Sequence, residues 1–303
     1  MESLRDIRDN IKSIQSTEQI MLTMKMISSA RIKRAQNSMI AARPFSLGLE
    51  GLIDDLRKEI LSGGDDFKDK NLNRFFAAPP AEEKNIGLIL VTADKGLCGA
   101  FNALLLRAAL HFIKERKDRK IYIFVVGKKG RDFISRLKTQ NVEIVYESVG
   151  IFPKAGYVHA NMLGDAVVEK FLSLGLSEVD LIYNDFKSMG VQNLVTNRIL
   201  PFNFEFSKGH FTDGQEEENF LYEPDKESIL LGLIFRHIKA SLYRVLLESQ
   251  AAELAARMNA MDAAGKNAQE IADALKLKLN KVRQATITNE ITEIVGAVEA
   301  LNA

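Results

Sequence analysis

Apolar residues near the amino terminus recur every three or four positions. Leu4, Ile7, Ile11 and Ile14 keep this spacing, which is the pattern of a coiled-coil seam. The seam continues more weakly through Thr17, Met21, Met24, Ser28, Arg31 and Ala35. No glycine or proline interrupts the pattern before Pro44. The pattern predicts one helix over residues 1–61, which needs a partner helix of similar length.

A second seam runs through the carboxy-terminal part of the chain, again in steps of four and three. Its members are Leu233, His237, Ala240, Arg244, Leu247, Ala251, Leu254, Met258 and Met261, and an apolar stripe resumes at Ile287, Ile291, Ile294, Val298 and Leu301. We expect a helix over residues 224–303 that opens at Pro224, with Gly265 as a candidate position for a bend. The two terminal helices are therefore predicted to form one long antiparallel coiled coil.

The middle of the chain, residues 85–206, has a different period. Short apolar runs predict strands, and helical stretches separate them. The runs cover residues 86–92, 121–126, 142–146 and 179–184, and the helical stretches cover 101–116, 129–137 and 158–174. This alternation predicts a doubly wound, mostly parallel α/β domain with helices on both faces, of the Rossmann-like kind. Residues 191–200 are expected to add a further strand or a hairpin arm.

Two polar segments separate the predicted domain from the predicted helices. Residues 62–84 are rich in glycine, proline and charge, and residues 207–223 are similarly polar. Both are interpreted as linkers. The predicted fold class is therefore α/β, with a long antiparallel coiled coil of the amino- and carboxy-terminal helices and a central doubly wound domain.

Composition limits the classes of function. With 41 basic and 40 acidic residues among 303, the formal net charge is +1, whereas nucleic-acid-binding proteins more often carry a large basic excess. The single cysteine, Cys98, cannot form an internal disulfide. The first residues lack the apolar core of a signal peptide, and the apolar runs are too short to span a bilayer.

The turn at residues 92–102 joins a predicted strand to a predicted helix, where α/β proteins often bind phosphate. It contains Lys95, Gly96 and Gly99 but matches neither the P-loop nor the dinucleotide pattern. A tight structural turn and a vestigial anion site remain the two interpretations. The four histidines lie in different predicted elements, so no catalytic, cofactor-binding or metal site is predicted.

Positive charge is concentrated in two short segments that contain no acidic residue. Residues 25–34 include Lys25, Arg31, Lys33 and Arg34, and residues 276–283 include Lys276, Lys278, Lys281 and Arg283. An antiparallel pairing of the terminal helices places both segments on the same rod. Such a surface is either solvated or meets nucleic acid or an acidic protein. Met26 lies off the seam and is expected to face a partner or solvent.

Four segments of the chain are similar to one known family. Residues 7–36 and 256–297 resemble the opening and closing helices of F-type ATP synthase gamma subunits. The turn TADKGLCG at residues 92–99 resembles that family's TSDRGLCG, and LYEPD at residues 221–225 resembles its entry into the last helix. The resemblance spans the whole chain, and it is weakest over residues 191–219.

The resemblance implies a non-catalytic rotor shaft that binds no cofactor. Its coiled coil would turn, in one copy per complex, inside a hexameric head of alpha and beta subunits. Its α/β domain would contact the epsilon subunit and the membrane ring of c subunits, whose proton-driven rotation powers ATP synthesis. The cysteine-containing insertion of chloroplast members and a transit peptide are absent, which implies a bacterial complex, peripheral to the cell membrane on the cytoplasmic side.

The resemblance also assigns partner contacts to individual residues. It places Met24 against an acidic helix–turn–helix of the beta subunit, and Arg283, Gln284 and Thr288 against a beta-subunit loop. Lys25, Arg31 and Lys33 are added as neighbouring contacts from their charge alone.

Two other functions are compatible with the pattern. One is an α/β nucleotide-binding enzyme with coiled-coil arms, which would bind ATP or NAD as an isolated chain. The other is a coiled-coil tether that binds nucleic acid through the two basic segments with steep salt dependence.

Overall fold

The computed structural model describes residues 3–62, 67–76, 84–137, 139–202 and 222–302. Contacts between residues divide the chain into two compact units. The first unit consists of Met1–Ser29 and Arg257–Ala303, and the second unit is Ala30–Ala256. Each long terminal helix therefore contributes residues to both units.

Both predicted terminal helices are present. Helix α1 spans Leu4–Ser62 and continues through Pro44. The carboxy-terminal helix spans Lys226–Asn302 and is continuous through Gly265. It begins two residues after Pro224 because the Asp225 carboxylate is its cap, accepting hydrogen bonds from the backbone N–H of Ser228 at 2.9 Å and from its hydroxyl at 2.7 Å.

The buried side of α1 differs from the predicted seam after Ser28. Ile7 and Ile32 are completely buried, and Ser28 and Ala35 are nearly so. Arg31, which the pattern placed in the seam, is exposed. A step of four residues from Ser28 to Ile32 therefore replaces the predicted step of three, because it buries an apolar side chain and leaves the guanidinium in water.

Five strands form one sheet in the second unit. The strands are β1 (Asn85–Val91), β2 (Lys120–Val126), β3 (Val142–Ser148), β4 (Glu178–Phe186) and β5 (Gln192–Leu200). Their order is β3-β2-β1-β4-β5, with β1 to β4 mutually parallel where they pair. The last strand is antiparallel to β4, so residues 191–200 form the hairpin arm that was one of the two expectations.

Helices cover both faces of this sheet, as predicted. Helix α2 (Lys70–Phe76) precedes β1, and α3 (Phe101–Glu115), α4 (Lys128–Ile134) and α5 (Tyr157–Ser173) connect successive strands, so the carboxy-terminal helix is α6. Helix α3 lies against β1 and β4, and α4 lies against β2 and β3. Alternate strand residues, such as Ile89 and Phe124, belong instead to a buried cluster shared with α1, α2, α5 and α6.

Helix α6 is a layer of the α/β domain as well as half of a helix pair. Within the second unit its residues 245–255 are buried on nearly every side, and Leu230, Ile234 and Leu242 belong to the main core cluster. A helix with a single seam would be exposed on its remaining faces. The period alone predicted a coiled-coil strand here and did not show this second role.

The predicted linker of residues 62–84 contains part of the core. Phe67, Leu72 and Phe75 are buried, and the ring of Phe75 packs 5.4 Å from that of Phe171. The backbone carbonyl of Phe75 accepts a 2.7 Å hydrogen bond from the N–H of Phe202. Charged and small residues around these apolar side chains hid them from a reading based on composition. Of the second predicted linker, residues 207–221 lie outside the described part of the chain.

Candidate partner-contact surface

In the first unit the two terminal helices run antiparallel. Lys25 lies beside Asp262 and Met21 beside Gly265, where an added Cβ would lie 3.9 Å from the Cβ of Met21. Residue numbers therefore rise along α1 as they fall along α6. Ile7 lies on the buried side of α1 and Ala268 and Ala272 on that of α6. The small residues on α6 let the backbones approach closely.

Lys25 is held within the chain. Its Nζ lies 2.6 Å from Oδ1 of Asp262, and the Nζ of Lys266 lies 3.0 Å from Oδ2 of the same carboxylate. Hydrogen bonds from Lys25 and then from Lys266 lower the pKa of Asp262. Lys25, predicted to contact a partner, thus has an acidic neighbour in its own chain while remaining partly exposed.

Two methionines beside Lys25 have different surroundings. Met24 is half-buried, and its carbonyl accepts a 2.8 Å hydrogen bond from the hydroxyl of the buried Ser28. Met26 is 64% exposed, in agreement with its predicted place off the seam. Met24 therefore belongs to the edge of the helix pair, with part of its thioether side chain still accessible.

Arg283, Gln284 and Thr288 are exposed on α6. The Thr288 hydroxyl donates a 2.9 Å hydrogen bond to the Gln284 carbonyl, so its polar group is satisfied by the helix itself. Arg283 follows Asp262 by 21 positions, which is roughly 30 Å along a helix axis. The structure thus places the predicted contacts at two separate levels and does not gather them into one patch.

Arg31 and Lys33 belong to the second unit, and both side chains are exposed there. The cations of the other basic segment, Lys276, Lys278, Lys281 and Arg283, are also exposed. At 3.6 residues per turn, Lys276 and Arg283 share one face of α6 and Lys278 and Lys281 share roughly the opposite face, so the four cations do not form a single stripe. Lys276 is paired with Asp273 at 2.8 Å.

The last part of α6 carries an uncovered apolar face. Ile287, Ile291, Ile294, Val295 and Val298 are between 43% and 64% exposed. The antiparallel register places Leu4, the first residue of α1, near Arg283, so the described part of α1 does not reach this face. The apolar stripe predicted to resume here is therefore present on α6, and the described part of α1 does not cover it. This register is extended along both helices from the Lys25–Asp262 pair.

The turn after β1 in the second unit is held by Thr92. Its hydroxyl donates to the carbonyl of Val126 at 3.1 Å and accepts from the N–H of Gly130 at 2.8 Å. Gly127 passes so close that an added Cβ would lie 2.1 Å from the Thr92 carbonyl oxygen, and its φ is +94°. Only glycine fits there.

Asp94 lies at the centre of the same turn. Its Oδ1 accepts hydrogen bonds from the N–H groups of Lys128 at 2.9 Å and Gly150 at 2.8 Å. Its Oδ2 accepts one from the N–H of Phe152 at 3.0 Å. One carboxylate therefore ties together the segments that follow β1, β2 and β3. Sequence reasoning did not single out this residue, although an acid inside a strand–turn–helix motif is a recognisable signal.

Two kinds of feature, metal centres and membrane-spanning helices, are absent from the described residues. Among them, no group of histidine, cysteine, aspartate and glutamate side chains has an arrangement that could hold a metal ion. None of the helices in that part of the chain combines the length and apolarity required to cross a bilayer.

Comparison with known proteins identifies the family. The family model described as ATP synthase, ATP-synt, matches residues 3–301. The ATP synthase gamma chain of Elusimicrobium minutum is 69% identical over 302 residues, covering all of both chains. The chain belongs to the ATP synthase gamma chain family. A more distant member, from Chloroherpeton thalassium, is 35% identical over 99% of each chain.

Chains in solved ATP synthase structures share this fold. A chain of the Euglena gracilis mitochondrial ATP synthase has a TM-score of 0.65 at 19% identity, covering 98% of this chain and 94% of that one. A chain from the Tetrahymena thermophila mitochondrial ATP synthase has a TM-score of 0.60 at 23% identity, covering 81% and 99%. Membership in the gamma chain family decides against the nucleotide-binding enzyme and the nucleic-acid tether as the primary role.

Proposed function

We propose that this chain is the central shaft of a bacterial rotary ATP synthase. The helix pair of α1 and α6 turns, in one copy, inside a head of alpha and beta subunits. The α/β domain, residues 85–206, contacts the epsilon subunit and the ring of c subunits. Proton flow through that ring drives the rotation that makes ATP. The shaft is peripheral to the membrane and lies on its cytoplasmic side. Residues 1–61 and 224–303 supply the shaft.

The uncovered apolar face at the end of α6 carries this proposal. Five apolar side chains between Ile287 and Val298 lie on one side of the helix and are about half exposed. A contiguous apolar surface of this kind marks a site that a partner covers. Aliphatic side chains form no directional hydrogen bonds, so a surrounding sleeve of alpha and beta subunits can hold this end while it rotates.

Charge on the shaft supports the same partners. The exposed cations from Lys276 to Arg283 lie on two roughly opposite faces of α6, without an acidic residue among them. A shaft that turns past several identical subunits presents more than one of its faces to them, and cations on two opposite faces of the helix suit contact with acidic surfaces on those subunits. Arg283, Gln284 and Thr288 are proposed to contact the beta subunit at this level. Met24, Lys25, Arg31 and Lys33 are proposed to contact it elsewhere along the shaft.

The relatives' names agree with a rotor. The matching Tetrahymena thermophila structure is described as a central stalk with the c-ring, and a second Euglena gracilis structure is described as a rotor. In this proposal the chain makes and breaks no bond itself. The α/β domain then serves as the base through which torque enters the two long helices.

Substitution of Met24 tests the beta-subunit contact in the assembled complex. Met24→Lys adds a cation at the edge of the helix pair, where it would bind an acidic beta-subunit surface and resist rotation. We expect proton pumping per ATP hydrolysed to fall, measured in membrane vesicles as the ratio of the two rates.

Two control variants separate position from charge. Met24→Leu keeps the apolar character and is expected to preserve the pumping ratio. Met26→Lys adds the same charge about 200° around the helix. A normal ratio of proton pumping to ATP hydrolysis in Met24→Lys, or an equal loss of that ratio in Met26→Lys, would contradict a specific role for Met24.

The complex itself can be tested without a substitution. A tag on this chain is expected to recover alpha, beta, epsilon and c subunits from solubilised membranes, with a single copy of this chain per complex by quantitative mass spectrometry. Recovery of the chain with none of these subunits would reject the shaft proposal as a whole.

A further inference from the structure

The turn after β1 holds a carboxylate in the arrangement of a bound ligand. Three backbone N–H groups, those of Lys128, Gly150 and Phe152, donate to Asp94 at 2.8–3.0 Å. They come from two separate segments, one after β2 and one after β3. Asp94 itself follows β1, so its carboxylate reaches both segments from outside them.

The position of this carboxylate is the usual place for a ligand in this architecture. Open parallel α/β sheets bind their ligands outside the carboxyl ends of the strands. All three donors and Asp94 lie in segments that follow the carboxyl ends of β1, β2 and β3. Convergent backbone N–H groups in such loops are the typical means of binding phosphate and other oxyanions.

The backbone is shaped to present these donors. Gly127 has φ +94° and directly precedes Lys128, and Gly150 has φ +77°. Conformations of this kind are open to glycine at little cost. Both glycines therefore turn the chain so that the neighbouring N–H groups face the space that the carboxylate fills.

We infer that Asp94 is a built-in anion, occupying an oxyanion site that the loops after β2 and β3 form. The site accepts a small carboxylate or phosphate oxyanion, and the chain supplies one from its own side chain. This inference is independent of the proposed shaft function. It also predicts that the intact domain takes no nucleotide at this place, because a phosphate would be repelled by the resident carboxylate and would find the donors already used.

The built-in anion joins three loops of the base through one rigid group. An external ligand would dissociate and leave the donors unpaired, whereas a side chain has no translational entropy to lose on binding. The carboxylate therefore acts as a permanent crosslink at the carboxyl ends of β1, β2 and β3.

Chemical rescue tests the inference on the full chain. Asp94→Ala removes the carboxylate and leaves a space of the size of formate, with three donors unpaired. We expect the Tm to fall by about 5–10 °C in chloride buffer. Replacing chloride by formate at equal ionic strength should restore about 2–4 °C, because formate binds the folded state. The intact chain should show no such gain.

Two further variants distinguish a specific site from a general salt effect. Asp118→Ala removes an exposed carboxylate from the same domain and should show neither the loss nor the rescue. Asp94→Asn keeps the shape but not the charge, leaves no space for formate, and should be destabilised without rescue. Equal formate effects on Asp94→Ala and Asp118→Ala would overturn the inference.

Remaining outcomes are equally decisive. If Asp94→Ala folds in formate but not in chloride, the site is supported. If Asp94→Ala folds in neither buffer, the Tm of Asp94→Asn decides the question. A lowered Tm for Asp94→Asn supports the need for a charged group, and an unchanged Tm overturns the inference. Titration of the intact chain with inorganic phosphate and with ATP should detect no binding, and micromolar binding of either would show that the site is open.

Discussion

The amine of Lys25 and the carboxylate of Asp262 meet at 2.6 Å, across 237 positions of sequence. This pair shows the register of α1 against α6 in the first unit. From that register it follows that the part of α6 beyond about residue 283 passes the described start of α1. The apolar face proposed to contact the alpha and beta subunits is a direct consequence of where these two residues meet.

We predict that the Lys25–Asp262 pair contributes little to stability. Both side chains remain more than one-third exposed, and exposed ion pairs gain little because water screens them. Lys25→Ala should lower the Tm of the chain by only about 1–3 °C, measured by differential scanning calorimetry. The effect should shrink in high salt.

The pH dependence of this pair follows from the lowered pKa of Asp262. A carboxyl group with a lowered pKa in the folded state stabilises the fold above its unfolded pKa, and that contribution is lost as the pH falls through the folded value. The Tm difference between the intact chain and Asp262→Asn should therefore be present at neutral pH and vanish in acid. A difference that is unchanged in acid would contradict the pairing.

The apolar end of α6 is predicted to matter for assembly and not for folding. Ile291 and Ile294 are 56% and 64% exposed. Replacing both by serine should change the free energy of unfolding of the isolated chain by no more than about 1 kcal/mol. In the complex, the same variant should dissociate more readily from alpha and beta subunits, measured by subunit recovery after gel filtration.

A buried isoleucine provides the matched control for that variant. Ile32→Ser removes a completely buried side chain and should destabilise the isolated chain by about 3 kcal/mol or more. If Ile291→Ser with Ile294→Ser also destabilises the isolated chain strongly, those residues pack within the chain and the partner surface is wrongly placed.

Gly127 is predicted to be irreplaceable in the turn after β1. An alanine Cβ would lie 2.1 Å from the Thr92 carbonyl oxygen, at a φ of +94°. Gly127→Ala should cost more than about 3 kcal/mol and yield little folded chain by circular dichroism.

Gly232→Ala serves as the comparison. Nothing lies within 4 Å of the position of an added Cβ there, and the residue lies inside α6. Alanine should stabilise the helix by about 0.5–1 kcal/mol. Similar stability of the two variants would show that the close approach at Gly127 is absent.

His237 is predicted to make the chain less stable in mild acid. Its ring is buried, with its centroid 5.5 Å from that of Phe202. Burial, and secondarily the charge of Arg244, lower the pKa of His237 to about 4. Between that value and its ordinary pKa, the unfolded chain binds a proton that the folded chain does not. The contribution of His237 to the free energy of unfolding therefore rises as the pH increases from about 4 to the ordinary pKa of histidine.

The test compares the intact chain with His237→Gln. Between pH 7 and pH 5 the intact chain should lose about 2 kcal/mol more than the variant in urea unfolding. Glutamine retains a hydrogen-bonding group toward Ser241, whose hydroxyl lies 3.4 Å from the histidine Nε2. Parallel pH profiles for the two proteins would mean that His237 titrates normally.

Several features of this protein were accessible from local pattern alone. The three-and-four spacing from Leu4 to Ile14 predicted α1, and the apolar runs predicted β1 to β4 in a parallel sheet. These periods report the geometry of the backbone within one element, so no other part of the chain is needed to recognise them. The family resemblance of residues 7–36 was equally a property of one contiguous segment.

Other features depended on which segments meet, which no local period encodes. The apolar side chains at residues 67–76 lie in a polar segment of the sequence, and only the folded chain brings Phe75 against Phe171. No local pattern distinguishes Asp94 from the other acidic residues, because its N–H partners belong to segments up to 58 positions away.

By itself, the sequence determined the family, the two long helices and the strands β1 to β4, because helix and strand periods and long motifs are local. The tertiary structure alone decided the register of α1 against α6, the burial of Ile32 in place of Arg31, and the exposure of Ile287 to Val298. Each of these depends on a free-energy balance between distant segments, where burial of one apolar side chain competes with hydration of a charged neighbour.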